Sequence, residues 1–570
     1  MASPQFAEPT ATFPPTPLAD IDAAVARLDQ NKDRWVAVST QRRVQLLEQC
    51  MAGVRAVATP WAAATSRNRD LSGAEQAEPW LSEVWPTMRT LRLLRDAMLA
   101  GGQPKIPAIR SRPDGQLVAQ VMPVDAMDQA LFMGLTAEVW LEPGKPATQG
   151  KIYRDKARGE AKPGAVALVL GAGNVGSIAP TDVLHKLFTE DQVVVLKTNP
   201  VNAYLGPMWE SALRPLIDEG YVAVVHGGVE AGVHLCNHPL VSEIHVTGSD
   251  RTHDAIVYGV GEQGAKNKAK NLRVNQRPVA SELGCVTPVL VVPGDWSEAE
   301  IRYHALAIAS AVTNNASFNC LAAKAVVTAS GWPLRQRFLT ALHEALAAVP
   351  PRKAYYPGAM DRWKAFCEAY PDNVQLGAAS EEPGHEVVPW TILPHVAPSG
   401  DEYALSHEAF CGVLAEVTLD CDDAATFLEE ATRFANEEAW GNLSCFVICD
   451  KRTMQANASA FDRAIADLRY GGVAINAFPG LIFGIGSGTW GAYPGNPDND
   501  IRSGKGVVHN TYLLDHPQKT VLRAPFRIFP TPVWFEGHKQ ALGVARKMVE
   551  LEEKRSWRKV PGVVALALRA

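Results

Sequence analysis

From residue 165 onward the chain alternates short apolar runs (165–170, 193–197, 222–225 and 243–247) with segments of helical length. Apolar runs too short for helices, spaced by helices, are the pattern of a parallel sheet, because parallel neighbours need a crossover that is usually helical. A second series begins at 288 with PVLVV and continues through KAVVTA, LAEVTL, SCFVIC and GGVAIN. Together the two series predict two α/β lobes. Ahead of them, 19–100 has helical periodicity, with Val44, Leu47, Cys50 and Met51 on one side. The Gly/Pro-punctuated region 101–164 contains AEVWLEP and KIYRDK, which read as strands of a hairpin leaving the main body. Near the end, 533–555 places Trp534, His538, Ala541, Leu542, Ala545, Met548 and Val549 on one stripe, which predicts an amphipathic helix. Its other face mixes acids and bases, so docking on the protein itself or a neighbouring subunit is expected over a membrane surface.

Composition excludes several function classes. A chain of 570 residues with 47% hydrophobic and 20% charged residues suits a multi-domain globular enzyme, and a net charge of −6 offers no electrostatic footprint for nucleic acid. No run approaches the length of a membrane span, so no membrane partner is expected. Residues 1–18 are rich in Pro and Thr, without a basic start or apolar core, which predicts a disordered tail and a cytoplasmic protein. Nine cysteines without a C-x-x-C pair suit a reducing compartment, and Cys445 and Cys449 in CFVIC read as strand packing. None of the three His-Glu pairs completes H-E-x-x-H and no G-x-S-x-G occurs, so no metal site is expected and a serine hydrolase is disfavoured.

The segment VALVLGAGNVGSIAP spells G-x-G-x-x-G across Gly171, Gly173 and Gly176. A dinucleotide fingerprint also needs an acid closing the second strand to hold the ribose hydroxyls. That strand, QVVVLKTNP, closes instead in Lys197, and Asp191 precedes it. GSGTWG at 486–491 spells the same pattern ahead of AYPGN, where no helix can start. The spelling alone therefore leaves two readings open, a phosphate loop or a Gly-rich strand-to-helix turn.

Two further stretches carry chemistry. In NNASFNCLAAKAVVTA, Cys320 stands in a loop before a strand, where a thiol could act as a nucleophile or simply pack. In SELGCVTPVLVV, Glu282 stands before a buried strand; an apolar setting raises a carboxyl pKa and suits a general base, although a loop acid fits as well.

In order along about 25–515, these stretches resemble motifs of the aldehyde dehydrogenase superfamily. LGAGNVGSIAP stands at the family's Pro-Trp-Asn, and VVVLKTNP resembles its Lys-Pro-Ser strand end. GGVEAGVHLCNHPLVSEIHVTGSD resembles its glycine loop, His-Pro turn and Thr-Gly-Ser. ELG, NASFNC, HEAFCGVL and ATRFANEEAWGNLSCFV resemble the base motif, the cysteine loop, Glu-Glu-x-Phe-Gly-Pro-Val and the Tyr-Gly-Leu segment. The resemblance implies Cys320 as nucleophile, Glu282 as the base for deacylation and Asn174 as an oxyanion donor. It implies a dinucleotide held by Lys197, Asn199, Gly228, Gly232, Gly248, Ser249, Gly284, Glu408 and Phe410.

The implied fold is α/β: a Rossmann-type cofactor domain, an α/β catalytic domain and a small β oligomerisation hairpin. The expected boundaries are 19–130 with 160–284 for the cofactor domain and 285–485 for the catalytic domain. Residues 131–159 and 486–530 would bridge or oligomerise, and 531–570 would form a C-terminal helical extension. A homodimer or homotetramer oxidising an aldehyde with NAD(P)+ is implied. Four departures stand out: Gly173 for tryptophan, Ser317-Phe318 near the usual Gly-Gln, Cys411-Gly412 for Gly-Pro, and Pro200 where many NAD-preferring relatives have glutamate. Without that carboxylate nothing repels a ribose phosphate, so NADP is slightly favoured. The alternatives are a CoA-acylating relative, which typically lacks the glutamate, and a catalytically silent one.

Overall fold

The computed structural model describes Ser3 and residues 13–569. Residues 1, 2 and 4–12 of the expected tail lie outside these. The end of that tail is held: Phe13 packs on His226 with ring centroids 4.7 Å apart, and the Thr16 N–H donates to the His226 carbonyl at 3.0 Å. The first helix begins at Leu18.

Both expected sheets are present. The cofactor lobe has five parallel strands in the spatial order Val279–Glu282, Glu243–Thr247, Val166–Leu170, Val193–Lys197, Val222–Val225, with Gly504–Lys505 added antiparallel at one edge. Strand order reverses on either side of Val166–Leu170, and such a switch point opens a crevice at the carboxyl ends of the strands. These strands are covered on both faces, which is why they read as continuous apolar runs.

The catalytic sheet has eleven strands and is built around Thr287–Val291 and Ala323–Ala329. Its far end corrects the sequence boundaries. Ala108–Ser111, Leu117–Met122 and Thr136–Leu141 form an antiparallel ribbon that continues through Pro517–Arg523 into the parallel strand Gly472–Ile475. Residues 108–122 therefore pair into this sheet and not into that of the cofactor domain, and the ribbon extends the sheet of its own chain. The segment KIYRDK is helical, Lys151–Ala157: left-handed Gly150 turns the chain into it and Lys151 pairs with Asp155 one turn on at 2.8 Å.

The C-terminal stripe also differs from expectation. Helix covers Ala541–Glu553, while Trp534 and His538 lie in an irregular stretch before it. Pro530 and Pro532 lack N–H donors and Gly537 has φ +77°, so 530–538 cannot continue the helix. Among the described residues no helix is long and apolar enough to cross a membrane.

The Ala541–Glu553 helix packs on the helices Thr40–Arg69 and Trp85–Leu99 and is clamped by buried charge. Glu552 receives Arg89 at 2.7 Å and Arg92 at 2.5 Å, while Arg89 also reaches Asp128 at 2.5 Å. Burial opposes the Glu552 charge, but Arg92 and Arg89 outweigh it and hold the carboxyl below the ordinary range. Replacing Glu552 by Ala removes the carboxylate shared by two buried guanidiniums and leaves Arg89 only Asp128 and Arg92 only Asp96, a loss of about 3 kcal/mol. Glu552→Ala is therefore expected to lower the unfolding midpoint and to expose the C-terminal segment to limited proteolysis. A wild-type midpoint and digestion pattern would show that the clamp contributes little.

Candidate active site

The crevice is organised by the loop after Val166–Leu170. A Cβ on Gly173 would meet the Asn199 side-chain oxygen at 2.8 Å and the Tyr356 hydroxyl at 3.0 Å, and one on Gly176 would meet Glu83 Oε2 at 2.8 Å. These glycines let polar side chains close on the backbone, and no phosphate is needed to explain them. A tryptophan at 173 has no room for the same reason. Asn174 is thereby presented to the cavity, with its Nδ2 donating to the Phe318 carbonyl at 2.9 Å. Its own carbonyl receives Arg69 at 3.0 Å, Asn315 Nδ2 at 3.1 Å and the Tyr355 hydroxyl at 3.0 Å. Arg69 is in turn fixed by the buried Glu83 at 2.7 Å.

Cys320 follows a tight turn in which Asn315, Ala316 and Ser317 all have positive φ, between 52° and 68°. Asn315 makes this possible: its Nδ2 donates to Asn174 O and Phe318 O at 3.1 Å each, and its Oδ1 receives Arg69 at 2.9 Å. Lys324, within a strand that is otherwise mostly apolar, reaches back to the carbonyls of Asn319 at 3.1 Å and Cys320 at 3.2 Å. It also faces the buried Glu408 carboxylate at 3.3 Å. Burial, and next the Glu408 charge, push the Cys320 thiol well above the ordinary cysteine range.

Glu282 ends the strand Val279–Glu282, opposite Thr247, and its carbonyl receives the Gly248 N–H at 3.0 Å. Its carboxyl is buried with Asp182 and His245, the ligand-type atoms of the three lying within 4.8 Å of one another. Asp182 Oδ2 sits 3.3 Å from His245 Nε2 and accepts from Thr247 Oγ1 at 3.1 Å. Burial raises the Glu282 pKa well above the carboxylate range, and the like charge of Asp182 adds to the shift. The sequence pointed to no metal, yet these are the described residues whose chemistry and spacing could hold one.

One cavity of about 320 Å³ is lined by Asn174, Cys320, Glu282, Gly248, Gly284, Glu408 and Phe410. Gly284 is required by Glu408, whose carboxylate would lie 1.8 Å from a Cβ there. Phe410, itself at φ 44°, belongs with Phe318 and Tyr356 to an aromatic group over the cysteine loop.

Lys197, Asn199, Gly228, Gly232 and Ser249 lie outside this cavity, on the carboxyl edge of the cofactor sheet. Asn199 caps the turn Pro200–Leu205 through Val201 N at 3.0 Å. Ser249 caps the helix Asp250–Tyr258, its hydroxyl accepting from Thr252 N at 3.2 Å. A Cβ on Gly228 or Gly232 would meet nothing, and Val229 and Val233 on the same helix are exposed. Lys197 makes no ion pair among the described residues, and burial lowers its pKa to about 8. An open glycine face beside a partly buried, unpaired cation fits the adenosine half of a dinucleotide.

The aldehyde dehydrogenase family profile matches residues 192–482, which spans both lobes and includes Glu282 and Cys320. The chain belongs to the aldehyde dehydrogenase family. Among solved structures, it is similar to the aldehyde dehydrogenase KauB from Pseudomonas aeruginosa (18% identity, 89% of each chain, TM-score 0.59). It is similar to gamma-glutamyl-gamma-aminobutyraldehyde dehydrogenase from Burkholderia cenocepacia J2315 (20% identity, 88% of each chain, TM-score 0.61). It is also similar to the indole-3-acetaldehyde dehydrogenase AldA from P. syringae, solved as a mutant with NAD+ and IAA (19% identity, 89% of each chain, TM-score 0.60). No curated protein sequence matches it significantly.

Within this aldehyde dehydrogenase, sequence reasoning missed Arg69, Glu83, Lys324, Asp182 and His245. Lys324 was the most legible, as a lone cation in LAAKAVVTA, and His245 interrupts the apolar EIHVT. Arg69 and Glu83 give no local sign, because their meaning depends on the Asn174 loop a hundred residues away.

The cavity electrostatics generate a prediction for the protein alone. Alkylation of Cys320 by iodoacetamide, followed by peptide mass spectrometry, is expected to rise with pH only above the ordinary cysteine range. Glu408→Gln, which removes a negative neighbour, is expected to move the profile to lower pH. An ordinary thiol profile unaffected by that substitution contradicts the electrostatic account.

Proposed function

We propose that this protein oxidises an aldehyde to the free carboxylic acid with NAD(P)+, Cys320 being the nucleophile. The observation that carries the reading is the convergence of Cys320, Asn174 and Glu282 on one cavity beside the cofactor edge. Asn174 is joined to the loop that carries Cys320, its Nδ2 donating to the Phe318 carbonyl and its own carbonyl accepting from Asn315 Nδ2. Family membership supports the activity, and the NAD+ bound to AldA supports a nicotinamide cofactor.

Cys320 Sγ adds to the aldehyde carbon, and its proton must leave for a base or solvent. Negative charge then develops on the aldehyde oxygen, where the second Asn174 Nδ2–H and the Cys320 N–H serve as donors that need no reorganisation. Lys324 holds the Asn319 and Cys320 carbonyls, so the Cys320 N–H keeps its direction. NAD(P)+, when bound through Lys197, Ser249 and the Gly228–Gly232 face, supplies the hydride acceptor. The acyl group then remains on Cys320 as a thioester, and Glu282 takes the proton of the water that releases the acid. The unpaired Lys197, with no carboxylate three residues on at Pro200, supports acceptance of NADP.

Acid formation without CoA, compared with NAD+ and NADP+ over an aldehyde panel, tests the reading. Acid is expected without CoA, and kcat/KM with NADP+ is expected to equal or exceed that with NAD+. Glu282→Gln is expected to give a burst of reduced cofactor and a stable acyl mass on Cys320. CoA-dependent turnover that ignores the substitution would instead identify an acylating enzyme, and no turnover on any aldehyde a silent one.

A second prediction follows from the like charge beside the base. Glu282 must be deprotonated to act, so kcat should rise with pH through its elevated pKa. Asp182→Asn removes a charge that raises that pKa. The acid limb of the kcat profile is therefore expected to move to lower pH, and an unmoved limb would separate Glu282 from the rate-limiting proton transfer.

A further inference from the structure

The cavity does not end at Cys320. Beyond Asn174 it continues between the helix Trp85–Leu99 and the segment after the catalytic sheet, where Trp85, Leu131, Trp534, Val544 and Met548 form its walls. Phe529 and Met133 also line it and are 73% and 53% exposed, which marks an apolar mouth.

The positive charge in this extension is already taken, because three carboxylates converge on a single guanidinium. The one Lys or Arg among its described lining residues, Arg352, is shared by Glu536 at 2.8 Å, Glu75 at 3.4 Å and Glu78. Glu536 is further fixed by Thr313 Oγ1 at 2.8 Å, and its N–H donates to Ser310 Oγ at 2.9 Å. A ligand carboxylate would find no unpaired cation here. The same anchors hold the Trp534 stretch in place, while the Arg89–Glu552–Arg92 clamp holds Val544 and Met548 from the other end. Both ends of this wall are therefore set by buried charge, and His538, Ala541, Val544 and Met548 between them line the cavity.

From this arrangement we infer that the aldehyde carries an extended apolar tail without an anionic end, lodged against the C-terminal segment, with Trp534 and Met548 as specificity-determining side chains. The inference rests on the aldehyde oxidation proposed above. Each methylene moved from water into such a wall favours binding about fourfold. Selectivity should therefore grow steadily with chain length until the extension is filled.

The test uses the full-length protein. For n-alkanals from two to ten carbons, kcat/KM is expected to climb about three- to fivefold per methylene before levelling. Alkanals ending in a carboxylate are expected to fall about a hundredfold below the methyl-ended compound of equal length, as desolvating an anion with no free cation to meet it requires. Trp534→Ala is expected to flatten the climb, and Phe529→Asp, at a position 73% exposed, to do so more weakly. Calorimetric binding of n-alkanols to Cys320→Ala reads the tail site without chemistry, and affinity is expected to rise with chain length. Chain-length-dependent alkanol binding with no aldehyde turnover would uphold the tail site and overturn the proposed activity. Turnover with a flat series, or with preference for an anionic end, overturns the tail inference itself.

Discussion

The buried pair of Arg69 and Glu83 is the interaction on which the site depends, because it joins three parts of the chain that sequence keeps far apart. Arg69 ends the long lead-in helix, yet it holds the Asn174 carbonyl from the cofactor lobe and the Asn315 side chain from the catalytic lobe. A buried ion pair is costly unless every lone pair and proton finds a partner. Glu83 meets that condition, with Trp61 and Thr65 each at 2.8 Å on one oxygen and Arg69 and Gly176 on the other. The pair thus acts as a register pin between lobes. Its geometry sets where the Asn174 amide stands relative to the turn carrying Cys320.

With the lobes so pinned, the chemistry becomes a matter of how three carboxyls are kept apart in function. Glu282 shares a dry pocket with Asp182, so its proton is retained well above the usual range. Glu408 is also raised by burial, though Lys324 and the Cys285 N–H at 3.3 Å work against the shift. The first is poised to exchange a proton. The second is tied to the strand that carries the cysteine loop and contributes a negative field beside the thiol. Burial and the Glu408 charge both favour the neutral thiol of Cys320 over the thiolate. A metal in the Asp182–His245–Glu282 cluster would take the Glu282 lone pairs needed for that proton exchange, which favours proton sharing as the cluster's use.

Much of the scaffold was legible because parallel strands covered on both faces leave an unmistakable apolar run. All four strand segments read from 165 to 247 coincide with observed strands within a residue. The ordered motifs singled out Cys320, Glu282 and Asn174, and the structure brings the three to one cavity. What failed were pairings and ends. The ribbon at 108–141 could not be assigned to a lobe, because register against Pro517–Arg523 is a long-range fact. KIYRDK carries the β-favouring Ile152 and Tyr153 in a run too short to show a helical period, and Gly150 in a left-handed turn starts it as a helix. The stripe at 533–555 has helical spacing throughout, but its first turns are broken by backbone that lacks donors or adopts positive φ.

That broken stretch is also what makes the C-terminal extension useful to the site. A continuous helix from 533 would present one straight apolar stripe to one partner surface. The turn around Gly537 instead lets Trp534 stack on Phe478, with centroids 5.4 Å apart, while the following helix packs on Trp85–Leu99. One short segment therefore bridges the catalytic lobe and the lead-in helices across the mouth of the cavity. Its apolar side chains close a wall that Trp85 and Leu131 would otherwise present to water, an exposure the hydrophobic effect disfavours. Stability and substrate selection are consequently coupled in this segment: the charges that fix its ends determine how much apolar surface is left for a substrate tail to cover.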